Sequence, residues 1–336
     1  LQNGSVHART REHLFTFHSP VRFSQEDLYE ATPNADRYFN ELMCHDKDMV
    51  RLEQKSLGYC LTGEISDRSL FLWWGHGLNG KGSTAKLMKA IMCFFYVQLS
   101  KDVIVQSDKK GNKGSATPHL VPLASARLGM FSETSPDDKL DDALKSYSGD
   151  DPISCRPLYG KQFNFVPQFK IIIQTNHKPK FDPADKAWVD RIKPIPFCAR
   201  YTDNPSSANE VKKDSSFVDE LLSPDGLDEV FRWLLQGSIE WYKTRDLKLP
   251  AFAEKEFRDY CDDLDTIGQF ITQRCTTGEG KINRSQLYKA YKTWCEDNEE
   301  SCISSSHFYA SLRKKGYPDK KVKGIRMFTG LDLGNE

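Results

Sequence analysis

The sequence predicts an α/β fold, a parallel sheet with flanking helices. The apolar run Leu70–Trp74 leads straight into the glycine-rich loop Gly75 to Thr84, and a helix-competent stretch follows from Ala85 to Phe95. Two more apolar runs, Arg127–Ser132 and Phe169–Thr175, read as buried strands. Between residues 68 and 200, helix-like and strand-like pieces alternate, the pattern of a layered α/β core.

Taken in order, residues 1–35 are mixed and aromatic without clear periodicity. From Asp36 to Cys60, Tyr38, Phe39, Leu42, Met43, Met49, Leu52 and Leu57 recur at helical spacing, and Gly63 is a candidate stop. The loop that follows the first strand fits G-x-x-x-x-G-K through Gly75, Gly80 and Lys81. Glycines there let backbone N–H groups converge at a helix N-terminus, where the dipole favours an anion, and Lys81 adds a cation for β- and γ-phosphates. The fuel implied is a nucleoside triphosphate. A hydroxyl that would bind Mg²⁺ is expected after Lys81, but Gly82 stands there and hydroxyls come at Ser83 and Thr84. The ion is then held through water, or by Ser83 if the loop shifts. The polar stretch Tyr201 to Ser216 reads as a loop or linker. Leu227 to Tyr242 is a helix, with Val230, Phe231, Leu234, Leu235 and Ile239 on one period.

With 336 residues, the chain is expected to hold two or three domains. The divisions read are 1–66, 67–200, 201–265 and 266–336. Charge balances at 47 basic against 47 acidic residues, so any nucleic-acid surface must be local. Nine cysteines without paired CxxC spacing argue for reduced thiols rather than a disulfide framework or zinc site, and for a cytosolic or nuclear setting. Neither a membrane-length apolar run nor a signal-peptide pattern is present, so no membrane association is expected. The start at Leu1 rather than Met is expected of a fragment with further domains upstream.

Hydrolysis needs more than a phosphate loop. It needs an acid that supports the metal, a group that orients water, and a cation for the developing γ-phosphate charge. Glu133 ends the second apolar strand and is the candidate acid. Asn176 ends the third and is the candidate water-orienting amide. Arg191 lies in Trp188-Val189-Asp190-Arg191-Ile192.

In this order the parts resemble the superfamily 3 helicases, AAA+ ATPases of DNA viruses, phages and plasmids. The likeness is to the C-terminal half of poxvirus-type and satellite-phage-type primase–helicases. It is carried by Gly77-Leu78-Asn79-Gly80-Lys81, Ser132-Glu133-Thr134, Gly149 to Ile153 with Arg156 to Lys161, Thr175-Asn176-His177-Lys178-Pro179, and Trp188 to Phe197. It covers most of residues 36–320. The resemblance implies an AAA+ type P-loop core preceded by a small helical collar and followed by a helical lid and a winged-helix-like domain. It implies ATP and Mg²⁺ as cofactors, with Gly75, Gly77, Asn79, Gly80, Lys81, Gly82, Ser83 and Thr84 around the nucleotide. Ser83 and Glu133 are at the metal, and Lys81, Glu133, Asn176 and Arg191 are catalytic. It further implies a hexameric ring in which Arg191 acts on the neighbour's nucleotide, 3′ to 5′ translocation, and an upstream primase domain. Asp190 departs from the family, which often has a second arginine there.

Such a ring grips DNA from inside. Two alternating stretches flank Tyr159-Gly160-Lys161, which reads as a β-hairpin with Lys161 at its tip, and Arg156 is a further candidate DNA contact. Lys161 would meet a phosphate and Tyr159 a sugar or base. The basic loop carrying Lys109, Lys110 and Lys113 is a second candidate. In the C-terminal part, Ser285 to Glu296 and Ser304 to Lys315 read as helices and Asp319 to Phe328 as a hairpin. Arg313, Lys314, Lys315, Lys320, Lys321 and Lys323 crowd this winged-helix pattern and suggest a phosphate-contacting face. The reading is an ATP-driven replicative helicase acting on single-stranded and forked DNA inside the host cell, in cytoplasm or nucleus. Its alternatives are an initiator that melts an origin without processive unwinding, and a ring that binds ATP without hydrolysing it.

Overall fold

The computed structural model describes residues 18–23, 26–106, 116–322 and 324–334, with His7, Thr10 and Glu12. Its elements in order are α1 (Pro33–Leu42), α2 (Lys47–Cys60), β1 (Leu70–Trp74), α3 (Lys81–Met92), β2 (Tyr96–Gln98), α4 (Lys101–Ile104), β3 (Leu128–Ser132) and α5 (Leu144–Tyr147). There follow β4 (Ile153–Cys155), β5 (Phe163–Phe165), β6 (Lys170–Thr175), α6 (Lys186–Arg191), β7 (Ile192–Pro196), β8 (Arg200–Thr202), β9 (Glu210–Lys212), α7 (Ser215–Leu221) and α8 (Pro224–Thr244). The chain ends with α9 (Ala251–Leu264), α10 (Thr266–Arg274), β10 (Cys275–Asn283), α11 (Arg284–Asp297), α12 (Ser305–Lys314), β11 (Asp319–Val322) and β12 (Ile325–Leu333).

Five parallel strands form the central sheet in the order β2-β3-β6-β1-β7, as the sequence predicts for an α/β protein. β1 and the body of β6 are buried along their length, which is why both read as continuous apolar runs. β7 was not anticipated. Its Ile-Lys-Pro-Ile-Pro carries two prolines, each lacking an N–H donor, and it accordingly takes the sheet edge. In the expected loop after Tyr201, β8 and β9 pair as a short parallel ribbon.

The chain divides into two units, residues 1–180 with 190–256, and residues 181–189 with 257–336. In the first, α2 and α8 touch backbone to backbone: a Cβ on Gly58 would lie 2.2 Å from the Ser238 nitrogen, and one on Gly237 2.0 Å from the Gln54 oxygen. Phe39 of α1 stacks on Trp233 of α8 at 3.8 Å, and Glu229 of α8 accepts from the Asn34 and Ala35 N–H groups, capping α1 from a distance.

In the second unit, β10, β12 and β11 form an antiparallel sheet. Its core includes Phe270, Leu287, Tyr291, Trp294, Phe308 and Phe328. The two helices and the hairpin expected here are present. Strand β10 was not expected, because Cys275 to Asn283 is polar and holds two glycines. No helix among the described residues is long and apolar enough to cross a membrane.

Candidate functional site

The sheet register assembles the site. Trp74 pairs with Thr175, and Ser132 with Gln174, so the segments beginning at Gly75, Glu133 and Asn176 leave the same edge together. That edge is the carboxyl end of the strands. β1 lies between β6 and β7, where the order reverses, the place where open α/β sheets hold ligands.

A cleft of about 340 Å³ opens there, lined by Gly77 to Ser83, Lys86, Glu133 and Gln174 to Asn176. Gly75 (φ +153°) and Gly80 (φ +84°) turn the loop, and a Cβ at Gly75 would lie 2.5 Å from the Phe197 oxygen, so glycine is required there. The first turn of α3 has no side-chain cap, unlike α2, α7, α8, α10, α11 and α12. The Lys81 N–H has only a long contact to Asn79 Oδ1, at 3.5 Å, so the first turn is left to receive an anion. Lys81 is buried, and its Nζ donates to the Gly75 oxygen at 2.7 Å and to Asn176 Oδ1 at 3.1 Å. Burial pushes its pKa down to about 8, against the opposing pull of Glu133.

The expected residues divide. Gly77, Asn79, Gly80, Lys81, Gly82, Ser83, Glu133 and Asn176 line one cleft. Gly75 contributes its carbonyl to Lys81. Thr84 does not line it: the side chain is buried, with its hydroxyl 2.9 Å from Tyr38 Oη and 3.1 Å from the Gly80 oxygen. It supports the loop from behind instead. Arg191, at the end of α6, is half-buried and is not among the lining residues. A Cβ at Gly82 would meet nothing within 4 Å. Ser83 with Glu133 offers one hydroxyl and one carboxylate, the sparse oxygen set that Mg²⁺ takes together with substrate phosphates.

Two features of this region escaped sequence reasoning. A second cavity of about 290 Å³ shares Leu78, Gly80, Ser83 and Lys86 with the cleft, and its other walls include Tyr38, Tyr201 and Phe217. And Thr134 and Thr175, quoted only as neighbours of Glu133 and Asn176, join side chain to side chain, with hydroxyl oxygens 2.7 Å apart. A threonine beside each strand-end residue was the only available signal.

The expected DNA contacts also divide. β4 and β5 pair as the anticipated hairpin, but its turn is centred on Leu158 and Tyr159. Gly160 N–H bonds the Pro157 oxygen, and Tyr159 (φ +60°) is fully exposed. Lys161 lies just past the turn rather than at the tip, and it and Arg156 are exposed. Part of the C-terminal cluster is paired with acids, one within the cluster and two distant in sequence. Arg313 binds Asp319 at 3.1 Å, beside Arg284 and Arg326 on the same carboxylate, and those guanidinium groups hold its carboxyl below the usual carboxylate range although burial pulls the other way. Lys314 pairs with Asp182 at 3.0 Å and Lys315 with Asp265. Lys320 and Lys321 are exposed on β11. Lys109, Lys110, Lys113 and Lys323 lie outside the described residues.

With this geometry in view, similarity to known proteins is informative. The family described as Poxvirus D5 protein-like matches residues 262–328. A mimivirus protein provisionally named helicase L207/L206, from Acanthamoeba polyphaga mimivirus, is 26% identical over 85% of this chain and 30% of its own length. Primase D5 of Fowlpox virus is 25% identical over 68% of this chain and 31% of its own. The chain thus spans less than a third of the length of either relative. The apo C-terminal region of NrS-1 shares the fold with TM-score 0.51 at 12% identity, over 90% of this chain and 76% of that one. These findings support the resemblance drawn from the motifs: the chain is similar to helicase domains of the viral primase–helicase type. Within that type, its named likenesses are to the poxvirus D5 protein and the mimivirus helicase.

Proposed function

We propose that this chain is the ATP-hydrolysing core of a replicative DNA helicase that moves along single-stranded DNA as a hexameric ring. In this reading it forms the C-terminal part of a viral or mobile-element primase–helicase acting inside the host cell, with a primase domain upstream. The observation that carries it is the convergence of Lys81, Glu133 and Asn176 at the carboxyl ends of β1, β3 and β6 around one anion-ready cleft. The α3 N-terminus and Lys81 hold the phosphates, and the apolar second cavity takes the nucleoside. Ser83 and Glu133 would hold Mg²⁺, which would supply charge neutralisation for the transferred phosphoryl group. Glu133 accepts a proton from water that Asn176 orients, and Arg191 reaches the γ-phosphate bound by the neighbouring subunit.

The fold's finer parts follow from the same reading. The core is of AAA+ type, α1 and α2 are the collar, α7 and α8 the lid, and residues 266–336 a winged helix. Lys161, Tyr159 and Arg156 face the central channel. Among the described residues of the C-terminal cluster, Lys320 and Lys321 are left for phosphate contact.

ATP turnover and strand displacement on a forked duplex test this together. The intact protein is expected to do both. Lys81→Ala is expected to bind ATP roughly 100-fold more weakly, as loss of a charge-assisted contact worth about 3 kcal/mol implies. Retained affinity in that variant would remove the loop from its role. Turnover without displacement would favour the origin-melting reading.

A further inference from the structure

We propose that Thr134 and Thr175 form a hydroxyl clamp that positions Glu133 against Asn176, so that acid and water-orienting amide act as one unit. The proposal rests on the ATPase reading above. Both threonines are buried, 3% and 1% exposed. Thr175 Oγ1 accepts the Thr134 N–H at 3.3 Å and the His177 N–H at 3.0 Å. It lies 2.7 Å from Thr134 Oγ1, and both hydroxyls are within reach of the His177 oxygen. With one proton each, one hydroxyl donates to the other, and that one donates to the His177 oxygen.

The clamp brackets both functional residues. Asn176 sits between Thr175 and His177, each of which is tied into it. Glu133 is held on one side by its own N–H, which donates to the Gln174 oxygen at 2.7 Å, and on the other by Thr134. Thr175 lines the cleft at the end of its strand, and Thr134 does not. These are positioning residues. The chemistry at Thr175 is specific: its hydroxyl oxygen must accept two N–H groups and pass one proton on. Valine, of the same shape, cannot do so and leaves buried donors unpaired, whereas serine can. The register alone cannot replace the clamp, because β3 and β6 end at Ser132 and Thr175, before the segments carrying the two side chains have settled.

The test compares ATP turnover and ATP binding in Thr134→Val, Thr175→Val and Thr175→Ser, with Lys81→Ala and Glu133→Gln alongside. Displacing a catalytic group by about 1 Å costs on the order of 100-fold in rate. Both valine variants are therefore expected to lose roughly 10- to 100-fold in kcat with ATP affinity nearly unchanged, and serine to restore turnover. On the Glu133→Gln background, Thr134→Val should add no further loss, since the group it positions is already gone. Wild-type kcat in Thr134→Val would overturn the clamp, as would equal losses in binding and turnover, or additive losses with Glu133→Gln. If Thr175→Val does not fold, Thr134→Val decides alone, because it leaves the Thr175 acceptor in place. Should wild type lack turnover, or Lys81→Ala retain it, the nucleotide reading itself fails and the clamp falls with it. Normal behaviour of both with an unaffected Thr134→Val sinks the clamp alone.

Discussion

The Lys81 ammonium has two protein acceptors, yet its pKa is pushed down to about 8 because burial strips away more hydration than those dipoles and Glu133 return. The group is cationic below that pH and increasingly neutral above it. Phosphate binding needs the cation, so ATP affinity is expected to be level up to about pH 8 and to weaken from there towards pH 10. A bound triphosphate raises the lysine's pKa, so binding near pH 8.5 takes up a proton. Calorimetry in buffers of different ionisation enthalpy measures that uptake directly. Gly82 is the other instructive position. The sequence shows a missing hydroxyl, while the structure shows open space where a side chain would stand. The departure is therefore one of chemistry and not of crowding.

At the scale of elements, legibility followed burial pattern. β1 could be bounded to the residue because all five positions are apolar and buried, and a glycine follows. The strand-end positions of Glu133 and Asn176 followed from the same signal. β7 was hidden by Pro194 and Pro196, β10 by its polar, glycine-bearing sequence, and α9 carried no cue distinct enough to be set apart from its surroundings. The hydroxyl contact between Thr134 and Thr175 spans more than forty positions of chain, and no local pattern encodes such a meeting. The pairing of Lys314 with Asp182 was invisible for the same reason. Helix packing yields a prediction at this scale. Because α2 and α8 approach at Gly58 and Gly237, Gly237→Ala must push the helices apart and is expected to cost about 1–3 kcal/mol. Denaturant titration measures it as a lowered midpoint with an unchanged slope.

For the whole molecule, the proposed ring makes each site the property of two chains. Arg191→Ala is expected to bind ATP and not turn it over, and Lys81→Ala to bind it about 100-fold more weakly. Mixing the two inactive proteins should recover partial turnover, since some interfaces then pair an intact Lys81 with an intact Arg191. Strict absence of recovery would place the arginine in its own subunit's chemistry or in none. The zero net charge of the chain also acquires meaning at this scale. Asp319 gathers Arg284, Arg313 and Arg326, so that the C-terminal basic cluster presents less positive charge than its local sequence suggests. Any grip on DNA there depends on a few lysines and should show a shallow dependence on salt.

The backbone at Glu133 has a further consequence. Its φ of +70° is a conformation that glycine enters freely and that costs an ordinary residue about 1–2 kcal/mol. The chain thus places a glutamate where folding alone would prefer no side chain. In the proposed mechanism, stability and chemistry pull in opposite directions at this position. Glu133→Gly is accordingly expected to melt no lower than wild type while losing turnover, a rare substitution that improves the protein as a solid and ruins it as a machine. A melting curve beside a rate measurement is enough to read that trade.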